Sequence, residues 1–340
     1  IRSENINKIY ITFSVIKYFL KNYKGSIIDA YLLSLLEVIN PKIVITFIDN
    51  SYKFSDLARI YSNKASFIAI QNSSRYELNL QNSFNKRFFL PIFFCFGQCE
   101  IDQYKKHKIE VKDFFKAGSL RLENFFHIAK KNKIQLKEDT HDICYSGEDM
   151  DDQFFGFLGI YGAKNIEYKY VQLAKYVIKF CIKHNMKLVT NVRTPEKIIN
   201  GLHFYNKYLT ADELSYLINS LDIKSENSAY ERYKILAESK VVVGTQSTHL
   251  REKLAMGGKI LSCNLTALEE VDFPNQGICS IKNFSYEEFE SRLLKIYKME
   301  KKNYFSELSK NKDYTMVNNM DNSAFPVIRH EIDRLLYTSN

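Results

Sequence analysis

Two hydrophobic periods alternate along this chain of 340 residues. Stretches with apolar residues at helical spacing are separated by short runs rich in β-branched and aromatic residues, which read as strands. In the first half, Ile11–Tyr23 and Ile27–Ile39 read as helices, and Pro41 stops the second. Residues 42–48 (KIVITFI) follow as a buried parallel strand, then a helix over Ser55–Tyr61 and a strand over Ser66–Ile70. Arg87–Phe94 is an apolar run broken by Pro91; Glu100–His107 reads as a helix, Ile109–Phe115 as a strand and Ser119–Lys131 as a helix. After a polar, acidic stretch over 137–153 the alternation resumes. Strands are expected at Asp142–Tyr145, Lys187–Val189, Lys240–Val243, Lys259–Cys263 and Gly277–Ile281. Helices are expected at Ile166–His184, Pro195–Tyr205, Thr248–Met256, Tyr286–Met299, Lys301–Lys310 and Pro326–Leu336. Strands alternating with helices at this pitch predict an α/β protein with parallel sheets covered on both faces. The acidic stretch divides it into an N-terminal domain, 1–138, and a C-terminal domain, 139–340, with a cleft between them; the last helix is a candidate to pack back on the first domain.

Composition narrows the function classes. A hydrophobic content of 45% is enough for a sizeable core. The net charge of +9 fits either the Lys bias of an AT-rich coding sequence or attraction to an anionic substrate or membrane surface, with peripheral membrane association as one form of it. Basic residues are scattered among acids, without the dense stripe and motif that nucleic-acid binding needs, so no nucleic-acid partner is expected. Six cysteines, at 95, 99, 144, 181, 263 and 279, show no paired metal spacing and suit a reducing compartment. No apolar run is long enough for a transmembrane helix, and no signal peptide is read at the start. The expected location is the cytoplasm, with the inner face of the membrane as a variant.

The most informative segment is 227–264, in which a buried strand runs through the turn Gly244-Thr245-Gln246-Ser247-Thr248 into a helix. Free N–H groups and the helix dipole make such a turn a seat for phosphate; the plainer alternative is a structural N-cap at Ser247 or Thr248. Glu252 either reaches a sugar or ribose hydroxyl or serves the cap and dipole. Gly257-Gly258 reads as a helix C-cap. Asp49-Asn50-Ser51 follows the first strong strand, which makes Asp49 a candidate general base; an Asx turn or cap is the alternative. Gln71, Asn72 and Arg75 (QNSSR) follow the next strand and offer amides and a guanidinium to a polar or anionic ligand, or form a solvated loop. Arg193 stands after the 187–189 strand, and His249 beside Thr248 reads more simply as packing. The acidic run Glu148–Asp152 reads as solvated, and no metal site or bound cofactor is expected.

Residues 41–49 (PKIVITFID), 71–75 (QNSSR), 117–120 (AGSL), 229–258 and 273–281 (FPNQGICSI) together resemble bacterial surface-carbohydrate biosynthesis proteins, presumed glycosyltransferases. The most specific parts are the VVVG-x-x-ST-x-x-x-E-x-L-x-x-G-G-K segment and the IDNS/QN-x-x-R pair, with serine at 73 or 74 where related proteins have glycine. The resemblance implies the GT-B architecture of two Rossmann-like domains, and a nucleotide-sugar co-substrate without metal. The second domain would bind the donor through Arg193, Gly244, Thr245, Ser247, Thr248 and Glu252. The first would meet a glycan or lipid-linked glycan acceptor through Asn50, Gln71, Asn72 and Arg75, with Asp49 as base. A CMP-linked acidic sugar is one donor it suggests, beside UDP-, GDP- and dTDP-sugars. The alternatives are a nucleotide-sugar epimerase or hydrolase on the same fold, and a non-catalytic subunit of polysaccharide assembly.

Overall fold

A computed structural model describes residues 11–75, 88–137, 139–147, 166–221, 229–266, 268–308, 312–317 and 324–337. In chain order the elements are α1 (Phe13–Asn22), α2 (Ile27–Ile39), β1 (Ile43–Thr46), α3 (Tyr52–Tyr61), β2 (Ser66–Ile70), β3 (Phe89–Cys95), α4 (Gln98–Lys106), β4 (Glu110–Lys116) and α5 (Leu120–Lys131). There follow β5 (His141–Ser146), α6 (Ile166–Lys183), β6 (Leu188–Asn191), α7 (Pro195–Ile199), α8 (Tyr205–Tyr208), α9 (Ala211–Asn219), α10 (Ala229–Glu238), β7 (Ser239–Gly244) and α11 (Thr248–Ala255). The chain ends with β8 (Lys259–Asn264), β9 (Ser280–Lys282), α12 (Tyr286–Lys298), α13 (Lys301–Ser306) and α14 (Ala324–Tyr337). The described residues form two compact units: those up to Leu120 together with α14, and those from Arg121 to the segment before α14.

The first unit is a parallel sheet of order β1-β2-β3-β4. Successive residues of its inner strands enter opposite faces, as a period of two requires. Phe67, Ala69, Phe93 and Cys95 pack on one side with Phe54 and Ala58 of α3. Ile68, Ile70, Ile92 and Phe94 pack on the other with Ala324 and Ile328 of α14. Burial on both faces explains why these strands read as continuous apolar runs.

Two expectations change here. The 42–48 run is an edge strand, not a buried one, and Ile45 stays exposed. Conversely, Pro91 does not break its run: β3 continues through it as a fully buried interior strand. The pairing registers pass from Leu90 to Ile92, so the missing proline N–H is absorbed as a gap in the ladder.

The second unit is a five-stranded parallel sheet of order β6-β5-β7-β8-β9. The division between units falls at Leu120/Arg121 rather than near 138. The cause is aromatic: Phe125 of α5 stacks on Tyr233 and contacts Tyr230, both on α10. The single helix expected over 195–205 is two, α7 and α8, because Gly201 turns the chain at φ +72°. Helix α9 was not read from the sequence, although Thr210 and Glu213 form a full capping box at its start. All six cysteines are buried.

Candidate functional site

The chain enters the second sheet at β5, crosses to β6 on one side, then returns past β5 to β7 and moves outward through β8 and β9. The strand order therefore reverses between β5 and β7. In open parallel sheets ligands bind outside the carboxyl ends of the strands at such a switch point. The register sets Asn191, Ser146, Gly244 and Ser262 side by side at that end. Every member of this row is small or polar, which leaves space and hydrogen-bonding groups. Gly244 is sterically required, because a Cβ there would meet the Ser146 carbonyl oxygen at 2.9 Å. The acidic run Glu148–Asp152 lies outside the described residues.

The turn after β7 delivers α11 to the switch point. Ser247 is the N-cap, its Oγ accepting from the His249 N–H at 3.3 Å, so the expected cap is Ser247 and not Thr248. Ser247, Thr248 and His249 are half-buried, whereas Gly244 and Thr245 are buried. The Thr245 carbonyl accepts from Ser262 Oγ, and Gln246 donates to the Glu270 carbonyl at 3.1 Å, which fixes the turn from below. His249 Nδ1 lies 3.5 Å from Ser146 Oγ and so links the start of α11 to the end of β5. Its burial, then the charges of Arg232 and Arg121, push the imidazole down to about 4, which keeps it neutral at physiological pH. Two guanidinium groups and a helix N-terminus thus raise the local positive potential where an anion would sit.

Arg121, Arg232 and Ser146 were not singled out in the sequence. The small residues ending β5 were the available signal for Ser146. The charges of Arg121 on α5 and Arg232 on α10 act on His249, and those two helices stack through Phe125 and Tyr233. Arg193 is exposed two residues beyond β6. Glu252 lies in the middle of α11 and is almost fully buried; its Oε1 accepts from Tyr233 Oη at 2.7 Å. That bond ties α11 to α10.

Beneath the site, Lys253 of α11 is buried and donates to the carbonyls of Leu236, Ala237 and Ser239 at 2.6, 3.3 and 2.8 Å. This ammonium caps the C-terminus of α10. Gly258 makes it possible, since a Cβ there would fall 2.5 Å from Lys253 Cδ and closer still to Cε. Gly258 is therefore more than a C-cap residue: its missing side chain is the channel for Lys253.

In the first unit, the two polar loops after β1 and β2 do come together. Asp49 is fully buried, and Arg75 donates to both of its oxygens, through Nε at 2.9 Å and through Nη2. The Asn72 N–H adds a third bond at 3.3 Å. Burial raises the Asp49 carboxyl above its ordinary range, and Arg75 acts against that shift. Arg75 also reaches Asn72 Oδ1 at 2.9 Å and Ser73 Oγ at 2.5 Å, so its guanidinium braces the loop. Gln71 is buried and spans to β3, accepting from Phe96 N–H at 2.9 Å and donating to Glu100 at 3.4 Å. Asn50 is exposed, and the cap of α3 is Ser51, not Asp49. Neither Ser73 nor Ser74 takes a positive φ, so the loop has no need of glycine there. Among the described residues, no group of three or more His, Cys, Asp or Glu is placed to hold a metal ion.

No family model and no curated protein matches the chain. Solved structures do. A UDP-GlcNAc 2-epimerase from Neisseria meningitidis, bound to UDP-GlcNAc, aligns over 96% of this chain and 84% of its own, with TM-score 0.56 and 11% identity. A variant of the wall teichoic acid polymerase TagF aligns over 96% of this chain and 100% of its own, with TM-score 0.50 and 11% identity. The chain has the GT-B fold. At this identity the likeness is one of fold alone. The chain's two parallel sheets are β1 to β4 in the first unit and β5 to β9 in the second.

Proposed function

We propose that this protein is a glycosyltransferase that moves a sugar from a nucleotide-sugar donor to a glycan acceptor of a bacterial surface polysaccharide. The observation that carries the reading is the switch point of the second sheet. There the β5 and β7 ends, the capped start of α11, and the charges of Arg121 and Arg232 converge on one place. An acceptor hydroxyl attacks the anomeric carbon, and the bond to the nucleotide phosphate breaks with its electron pair on the phosphate oxygen. The α11 N–H groups, the Ser247 and Thr248 hydroxyls and the two arginines would stabilise that charge without a metal. The exposed Arg193 would approach the donor from the β6 end. A CMP-linked sugar is one candidate donor. On the acceptor side, Asn50, Gln71, Asn72 and Arg75 would line the first sheet's strand ends. Asp49 would take the acceptor proton only after Arg75 turns from it toward the acceptor.

A second reading is epimerisation or hydrolysis of a nucleotide sugar, since the Neisseria epimerase structure shares this fold. Product analysis separates them. The transferase releases free nucleotide only with acceptor present, the hydrolase without it, and the epimerase yields an isomeric nucleotide sugar. For the site itself, Ser247→Ala with Thr248→Ala should weaken nucleotide affinity by about 1–3 kcal/mol. Unchanged affinity in a folded double variant would remove the phosphate from this turn.

A further inference from the structure

Helix α1 turns its apolar stripe outward. Val15 is buried and Tyr18, Phe19 and Asn22 are half-buried, which marks the side facing the protein. Phe13, Ile16 and Leu20 project from the opposite side within about 60° of one another. They are 93%, 45% and 71% exposed. The apolar surface continues through Tyr23, Ile27 and Ile28, all exposed, at the turn into α2. Lys17 and Lys21 lie along one edge of the stripe and Lys24 follows it; all three are exposed, and residues 11–28 contain no acidic side chain. The next acid, Asp29, is paired with Lys53.

We propose that α1 and the α1–α2 turn dock on an anionic lipid bilayer, lying in its interface. Phe13, Ile16 and Leu20 enter the acyl boundary and the three lysines sit among the phosphates. Apolar burial and charge complementarity then act together, which is the physics of interfacial helices. Helix α1 is 10 residues long, and no described helix is long and apolar enough to cross a membrane, so the helix lies on the surface. A second copy of the chain fits less well. Two-fold pairing of α1 with itself would set Lys17, Lys21 and Lys24 against the same lysines, with no acid among residues 11–28 to offset them. The proposal does not depend on the glycosyltransferase reading.

The test is co-sedimentation of the full chain with vesicles of phosphatidylcholine alone and of phosphatidylcholine mixed with phosphatidylglycerol. Binding should be strong only with the anionic lipid and should weaken as salt is added. Phe13→Ser with Leu20→Ser should lower partitioning by about 100-fold, because two large apolar side chains lose their burial. Gln in place of each of Lys17, Lys21 and Lys24 should cost about fivefold per residue on anionic vesicles. These side chains are exposed, so circular dichroism and thermal melting should match wild type. Absence of vesicle binding by the folded chain, or binding that these variants leave unchanged, overturns the proposal. So does a dimer that Phe13→Ser with Leu20→Ser converts to monomer while vesicles remain unbound, since the occupant is then a second copy.

Discussion

Replacing Gly258 with alanine should destabilise the second unit far more than a Gly→Ala change ordinarily does. At a permissive backbone position that change is neutral or stabilising by up to about 1 kcal/mol. Gly258 has no positive φ, so alanine is permitted by the backbone. The obstacle is the Lys253 side chain, whose Cδ and Nζ would lie 2.5 and 2.9 Å from the new Cβ. Lys253 must leave its channel, and it abandons three carbonyls, two of them in bonds that are fully buried. Hydrogen bonds to a charged group are worth about 1.5–3 kcal/mol each, and three sharing one ammonium are not additive. A net cost of about 3 kcal/mol follows, or roughly 6–12 °C in Tm for a unit of this size. The C-terminus of α10 loses its cap in the process, and α11 loses its anchor, so nucleotide affinity at the 244–248 turn should fall with stability. The assay is urea unfolding of wild type, Gly258→Ala, Lys253→Met and the double variant. If steric displacement is the cause, Gly258→Ala costs little more once Lys253 is Met, and the coupling between the two is about 2 kcal/mol or larger. A Gly258→Ala protein within about 0.5 kcal/mol of wild type would refute the channel, since surface changes away from special features fall in that range.

Three further outcomes are expected. Folded His249 titrates near 4, below the 6.5 of the unfolded chain, so the unfolded state binds more protons between those values. Its contribution is complete above pH 6.5 and is lost as pH falls toward 4, up to about 3 kcal/mol at 1.36 kcal/mol per pH unit. A His249→Asn variant whose stability kept the wild-type slope between those pH values would contradict this. Asp49→Asn takes from the buried Arg75 guanidinium the carboxylate that accepts two of its bonds, which should cost about 3–5 kcal/mol. If Asp49 is also the base, turnover in the folded fraction should drop by about 10²–10⁴-fold; full turnover in that fraction would leave Asp49 a purely structural clamp. Transfer activity should survive excess EDTA, and complete loss restored by Mg²⁺ or Mn²⁺ would overturn metal-independent neutralisation of the leaving phosphate.

Local order in this chain could be read directly from the residues. The span of α2 and that of β2 follow from spacing and bounding residues alone, and the strand–turn–helix around Gly244 was legible because each signal lies within a few positions of the next. The same holds for the polar groups at the strand ends, Asp49 to Arg75 and Gly244 to Thr248. Pairing across distance was not legible. Nothing near residue 91 says that a proline strand is interior while the β-branched run at 43–46 is the edge; that depends on which strands flank each one. Nothing near Asp49 says that Arg75 will occupy its carboxylate, which turns two recognition loops into one braced network. The row Asn191–Ser146–Gly244–Ser262 exists because the chain reverses direction in the sheet between β6 and β7, an outcome of long-range packing. Arg121 and Arg232, whose charges act on His249, stand on α5 and α10, which stack through Phe125 and Tyr233, more than a hundred residues apart. Backbone propensity and hydrophobic period act over one or two turns of chain, so sequence alone determined most of the elements and their polar ends. Tertiary structure decided which ends meet, and therefore which polar residues are free to bind and which are held in structural pairs.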